Sequence, residues 1–151
     1  MGTIEYNIKN FIANVDDAQV IYWQLINELT NVDFENFSVT VSSYYEFPDT
    51  LDVWGYGYKG YAYVKDGVIS MSNEENKDMN GKYVVLLAKF PLGTFENGRS
   101  FPFDQNINNF DDVLKLSKKG TGIYKIKDFF IGLFEFIGQL FIPIMVIIIA
   151  V

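Results

Sequence analysis

Residues 51–72 read LDVWGYGYKGYAYVKDGVISMS, and their alternation decides the fold class. Lys65, Asp66 and Gly67 stand between two alternating apolar runs, and a glycine there supplies the positive φ that a tight hairpin turn needs. Gly60–Val64 and Val68–Ser72 are therefore expected to pair antiparallel. Just before the hairpin, Trp54, Tyr56 and Tyr58 fall on one face of an extended chain, and Tyr61 and Tyr63 share another. The row Trp54, Tyr56, Tyr58 is the leading candidate for a ligand or partner face, because aromatic rings on a sheet stack sugars or peptides. The competing reading is packing of the same row inside a sandwich. Gly55, Gly57 and Gly60 make no phosphate loop, since no helix follows them.

Working outward, Tyr83–Phe90 (YVVLLAKF) and Gln19–Ile26 (QVIYWQLI) are apolar almost throughout, as strands buried on both faces are. Pro91 ends the first of them. Phe37, Val39 and Val41 alternate with Ser38, Thr40 and Ser42, giving a strand that stops before the Phe47-Pro48-Asp49 turn. Ile4, Tyr6 and Ile8 alternate with polar residues and predict a first strand, with a turn over Asn14–Asp17. Residues 73–81 form a polar loop. Beyond Pro91 no period emerges until Asn109, where several signals agree on a short helix. Asn109 can cap it, Asp111 and Asp112 sit in the first turn, Lys118 and Lys119 in the last, and Gly120 follows.

Composition narrows the chemistry. The chain has 151 residues with no Cys and no His, so disulfides, thiol nucleophiles, zinc fingers and histidine general bases are all excluded. Aromatic residues make up 17%, which with Val and Ile favours strands before residue 129. The net charge of −7 is unevenly spread: −10 up to Asp112, +4 over residues 113–128, and −1 from Glu135. An acidic body argues against nucleic acid as a partner. No catalytic residue, cofactor or metal ligand is singled out. Asp16-Asp17 and Asp111-Asp112 are adjacent and diverge on a strand or a helix alike. Neither Asn31, Asp33, Glu35 nor the 73–78 stretch has the glycine and distal glutamate of a calcium loop.

The C-terminal stretch 129–151, FFIGLFEFIGQLFIPIMVIIIAV, holds one ionisable side chain, Glu135, and reads as a membrane helix. Gly132, Glu135, Gln139 and Pro143 recur at helical spacing, so they form one less apolar stripe. That stripe suits contact with other membrane helices. Alternatively residues 129–139 lie in the headgroup zone, and the span starts near Leu140 and is cut short at Val151. Beside it, Lys118, Lys119, Lys125 and Lys127 suit anionic headgroups, or serve only helix-dipole and solubility needs. By the positive-inside rule they would put this side in the cytoplasm.

The order YWQLI (22–26), FSVTV (37–41), DVWGYG (52–57), YVVLLAKFP (83–91) and NNFDDVLKLSKKG (108–120) resembles the extracytoplasmic domain of the YciQ-type predicted membrane proteins of bacteria. That resemblance implies an exported β-sandwich-like domain of unknown function, followed by transmembrane helices. It also implies a signal peptide and first strands that are missing here, so the chain reads as a piece of a longer protein. Export by a signal peptide overrides the lysine cluster and favours the outside.

The expectation is thus a mainly β, antiparallel sandwich-like domain over 1–108, a short helix and lysine-rich connector over 109–128, and a transmembrane helix over 129–151. Its expected role is a binding or interaction module of the bacterial envelope, with the lipid bilayer and possible membrane proteins or envelope polymers as partners. The alternatives are a carboxylate-dependent, glycosidase-like hydrolase and a structural subunit of a multi-helix membrane complex.

Overall fold

A computed structural model of the chain describes residues 4–5, 7–26, 36–73, 83–102 and 106–119. Its elements are β1 (Ala13–Val15), β2 (Ala18–Ile26), β3 (Ser38–Val41), β4 (Asp52–Tyr56), β5 (Gly60–Lys65), β6 (Val68–Asn73), β7 (Val84–Phe90), β8 (Arg99–Ser100) and α1 (Phe110–Lys118). A five-stranded sheet runs β4-β7-β2-β1-β8, and a three-stranded sheet runs β3-β6-β5.

The apolar runs of β2 and β7 occupy the middle of the larger sheet, where both faces are covered. Val84, Leu86, Ala88 and Phe90 point to one side, where they meet Ile69 and Met71 of the smaller sheet together with Val39, Val41, Ala62 and Val64. Tyr83, Val85 and Leu87 point to the other, where Phe110 and Val113 of α1 close the core with Val20 and Tyr22. The period of two thus feeds two cores, and the molecule has three layers: small sheet, large sheet, helix. Because α1 supplies core residues, it belongs to the same packed unit as the strands.

The Lys65–Val68 hairpin forms as the alternation requires. Asp66 (φ 52°) and Gly67 (φ 75°) both adopt positive φ, which matches the right-handed strand twist. Pairing extends from Gly60↔Asn73 to Lys65↔Val68. The helix also forms where expected, with the Asn109 side chain accepting from the Asp112 amide at 3.1 Å.

Three expectations are corrected. Residues 4, 5, 7 and 8 are exposed and in no strand; alternation specifies a strand only where a neighbour offers a ladder. Asn14 lies inside β1, so the turn narrows to Asp16-Asp17, and β1 and β2 form a hairpin of their own. The sandwich is not wholly antiparallel, because β8 adds to β1 in parallel. No helix among the described residues is long and apolar enough to cross a membrane; the stretch 129–151 lies outside those residues.

Polar bonds fix α1 at both ends. The Phe110 amide donates to the Asp17 carboxylate at 2.7 Å, and the Asp16 amide donates to the Asn108 carbonyl at 2.7 Å. Toward the other end, the Tyr83 hydroxyl donates to the Leu116 carbonyl at 3.0 Å. The helix therefore runs along β7, from the Phe90 end toward the Tyr83 end. At the Phe90 end lie the Asp16-Asp17 and Asp66-Gly67 turns with the loops 42–51 and 91–98. At the Tyr83 end Lys118 and Lys119 finish the helix, and the chain continues from there toward its apolar tail.

Candidate functional site

The row Trp54, Tyr56, Tyr58 does not exist as one surface. Trp54 and Tyr56 project from β4 toward the helix layer, with the Trp54 ring 5.5 Å from that of Phe110. Gly57 then turns the chain at φ 87°. Tyr58 consequently lands in the opposite core, edge-on to Phe37 at 5.0 Å, and donates from its hydroxyl to the Tyr61 carbonyl at 2.9 Å. Burial pushes the Tyr58 hydroxyl pKa up. All three rings are partly buried, and the turn at Gly57 was the sequence signal that divides them.

Tyr61 and Tyr63 lie on the outer face of the small sheet, 61% and 48% exposed. They stand opposite Ser72 and Ser70, which in turn oppose Ser38 and Thr40.

A second exposed group was missed from sequence: Tyr44, fully exposed, with Tyr45 (40%) and Leu92 (56%) at the Phe90 end. It grows out of the core as a chain of rings. Phe90 meets Phe95 at 5.0 Å and Phe47 at 5.9 Å, and Tyr45 caps both at 5.3 and 5.9 Å. Buried Gln19 grips the backbone of Phe95, accepting from its amide at 2.7 Å and donating to its carbonyl at 2.8 Å. The Phe47 amide donates to the Gly67 carbonyl at 3.2 Å. Both loops are thus pinned by hydrogen bonds. The sequence signal was the adjacent pair Tyr44-Tyr45 ahead of the Phe47-Pro48 turn.

Segments 42–52, 66–67 and 91–98 of this end carry Glu46, Asp49, Asp52, Asp66 and Glu96, and no Lys or Arg. At the opposite end, Lys115, Lys118 and Lys119 are exposed. Lys115 lies 3.4 Å from Asp112. The Asp112 carboxyl is held below its usual pKa by the Asn108 amide first and by Lys115 after it. Lys125, Lys127, Gly132, Glu135 and Gln139 lie outside the described residues.

Two shallow grooves flank α1. One, lined by Asn14, Asp16, Ser100 and Asn108, holds Asp16 as its one acid; the other, lined by Asn106, Asp112, Lys115 and Lys119, holds Asp112. Neither brings together the two carboxylates that glycoside hydrolysis uses. Among the described residues no three Asp or Glu approach one another as metal ligands. Under the helix, Tyr22 and Tyr83 share a hydroxyl–hydroxyl bond of 3.0 Å. Desolvation first, then that bond, drives the Tyr22 hydroxyl pKa strongly upward, so it stays protonated and acts as a structural pin.

Residues 2–95 match the family described as Predicted membrane protein (DUF2207) N-terminal domain. No curated protein and no solved structure matches the chain.

Proposed function

The chain belongs to the family of predicted membrane proteins that carry this N-terminal domain, and on that premise we propose that it is a membrane-anchored, extracytoplasmic binding module of the bacterial envelope. Residues 129–151 form its anchor, long enough at about 1.5 Å per residue to reach across a hydrocarbon core. Lys118, Lys119, Lys125 and Lys127 meet anionic headgroups, and Gly132, Glu135 and Gln139 turn from lipid toward neighbouring membrane helices.

The observation that carries this reading is the polarity of the domain. Tyr44, Tyr45 and Leu92 are exposed at one end. Lys118 and Lys119, the last described residues before the apolar tail in sequence, lie at the other. Suspended from a bilayer by its lysine end, the domain offers the aromatic end to a partner. The protein works by binding, without bond chemistry.

Its sidedness is tested with a single Ser43→Cys, exposed at the aromatic end of a chain that otherwise has no cysteine. An impermeant maleimide is expected to label it in intact bacterial cells. Labelling only after lysis would refute the extracytoplasmic placement.

A further inference from the structure

The segment entering β8 is pinned on both sides of a short free stretch. Buried Gln19 holds Phe95 by its amide and its carbonyl, at 2.7 and 2.8 Å, and donates to the Asn14 side-chain oxygen at 2.9 Å. Asn14 in turn donates to the Gly98 carbonyl at 3.0 Å, and the Arg99 amide donates to the Ile12 carbonyl at 3.0 Å. Between these anchors Glu96 and Asn97 are exposed. Among the described residues neither the Asn97 carboxamide nor the Gly98 amide has a hydrogen-bond partner.

Packing demands the glycine. A Cβ at position 98 would collide with the Asn14 side chain, so Gly must follow Asn97 here. With no Cβ to shield it, a glycine nitrogen is open to close approach, here by the carboxamide of the preceding asparagine. Every other asparagine among the described residues precedes a residue with a side chain. Asn80-Gly81, the other such pair of the sequence, lies outside them.

From these observations we propose that Asn97-Gly98 is a site of self-modification that releases β8 from β1. The Gly98 nitrogen loses its proton to water and attacks Cγ of Asn97, and the bond from Cγ to the amide nitrogen breaks to release ammonia. Water then opens the resulting succinimide ring. Cleavage of the Cγ bond leaves aspartate in the normal chain. Cleavage at the backbone carbonyl leaves isoaspartate, whose chain runs on through Cβ and Cγ. Each event consumes one water and frees one ammonia. Isoaspartate adds a methylene to a backbone fixed at Phe95 and again at Gly98 and Arg99, and β8 is only two residues long. The register Ala13↔Arg99 is what gives way.

The test incubates the full chain in nanodiscs at neutral and at mildly alkaline pH, beside a synthetic peptide of residues 94–101. Trypsin separates residues 90–99 from residues 78–82, so mass spectrometry reads Asn97 apart from Asn80. Two products of equal mass, each with an acid in place of the amide, are expected at Asn97 and form faster at the higher pH. Their rate should lie within tenfold of the free peptide's, the fold adding less than about 1.4 kcal/mol to the barrier. In the aged chain the Arg99 amide should exchange with solvent faster than in the fresh chain. Asn97→Gln, which would have to close a larger ring, should show neither change. Freshly made Asn97→Asp, which brings the charge without the added methylene, should keep the Arg99 amide protected.

The proposal is overturned if Asn97 in the folded chain reacts more slowly than that bound allows, or if aspartate forms without isoaspartate. An aged chain whose Arg99 amide is as protected as in the fresh one overturns the release of β8. Equal loss of protection in aged Asn97→Gln, or in fresh Asn97→Asp, overturns it as well, because the inserted methylene would then not be the cause.

Discussion

At Gly57 the chain takes a turn that no residue with a side chain accommodates. Its φ of 87° is coupled to a close approach by the backbone carbonyl of Tyr83, against which an added Cβ would clash. Gly57→Ala should therefore cost more than the ~1 kcal/mol of an ordinary Gly/Ala exchange, read as a lower midpoint in urea denaturation. A midpoint equal to the parent's would show that this turn tolerates a Cβ.

The tyrosine pair under the helix makes a second claim at this scale. Tyr22 ionises in the folded state only well above its ordinary value of 10.0, while the unfolded chain releases that proton near the ordinary value. The folded state thus holds the extra proton, so stability is level through neutral pH and falls as pH rises past about 10. Thermal melts at rising pH should follow that curve. In Tyr22→Phe the alkaline fall should be shallower, with a loss of about 1 kcal/mol at neutral pH for the missing hydroxyl bond.

Among the elements, α1 depends on an unusual arrangement. Its N-terminus is served by Asn109 from its own chain segment and by Asp17 from the β1–β2 turn, at 3.1 and 2.7 Å. Carboxylates there also complement the helix dipole. Asp17→Ala and Asn109→Ala should each destabilise by about 1 kcal/mol, and the first should also speed hydrogen exchange along α1, since it loosens the helix from the sheet. Unchanged exchange in Asp17→Ala would show that packing by Phe110 and Val113 alone holds the helix.

The same element scale shows what the sequence could disclose. The β5–β6 hairpin, the doubly buried β2 and β7, and the capped helix were legible because each carries its own periodic or turn signal. β1 and β8 were not, since three and two residues are too short for a period and owe their pairing to neighbours brought up by the fold. Ile4 and Ile8 had the period without a partnering strand among the described residues. At the candidate site, Trp54, Tyr56 and Tyr58 misled because alternation was carried through Gly57, where the backbone changes direction. Tyr44 and Tyr45 were overlooked because exposure of a loop ring depends on which loops meet, here 42–51 and 91–98.

For the whole molecule, the central claim is an orientation: lysine end at the bilayer, aromatic end away from it. The seven residues of β7 span about 23 Å at 3.3 Å each, so the two ends stand at clearly different heights above a membrane. The decisive measurement places a fluorophore on Lys119→Cys or on Ser43→Cys of the full chain, reconstituted in liposomes whose headgroups carry a nitroxide quencher. The account predicts strong quenching at position 119 and little at position 43. Equal quenching at both, or stronger quenching at 43, would contradict it, because the aromatic end would then be lying on lipid and would not be presented to a partner.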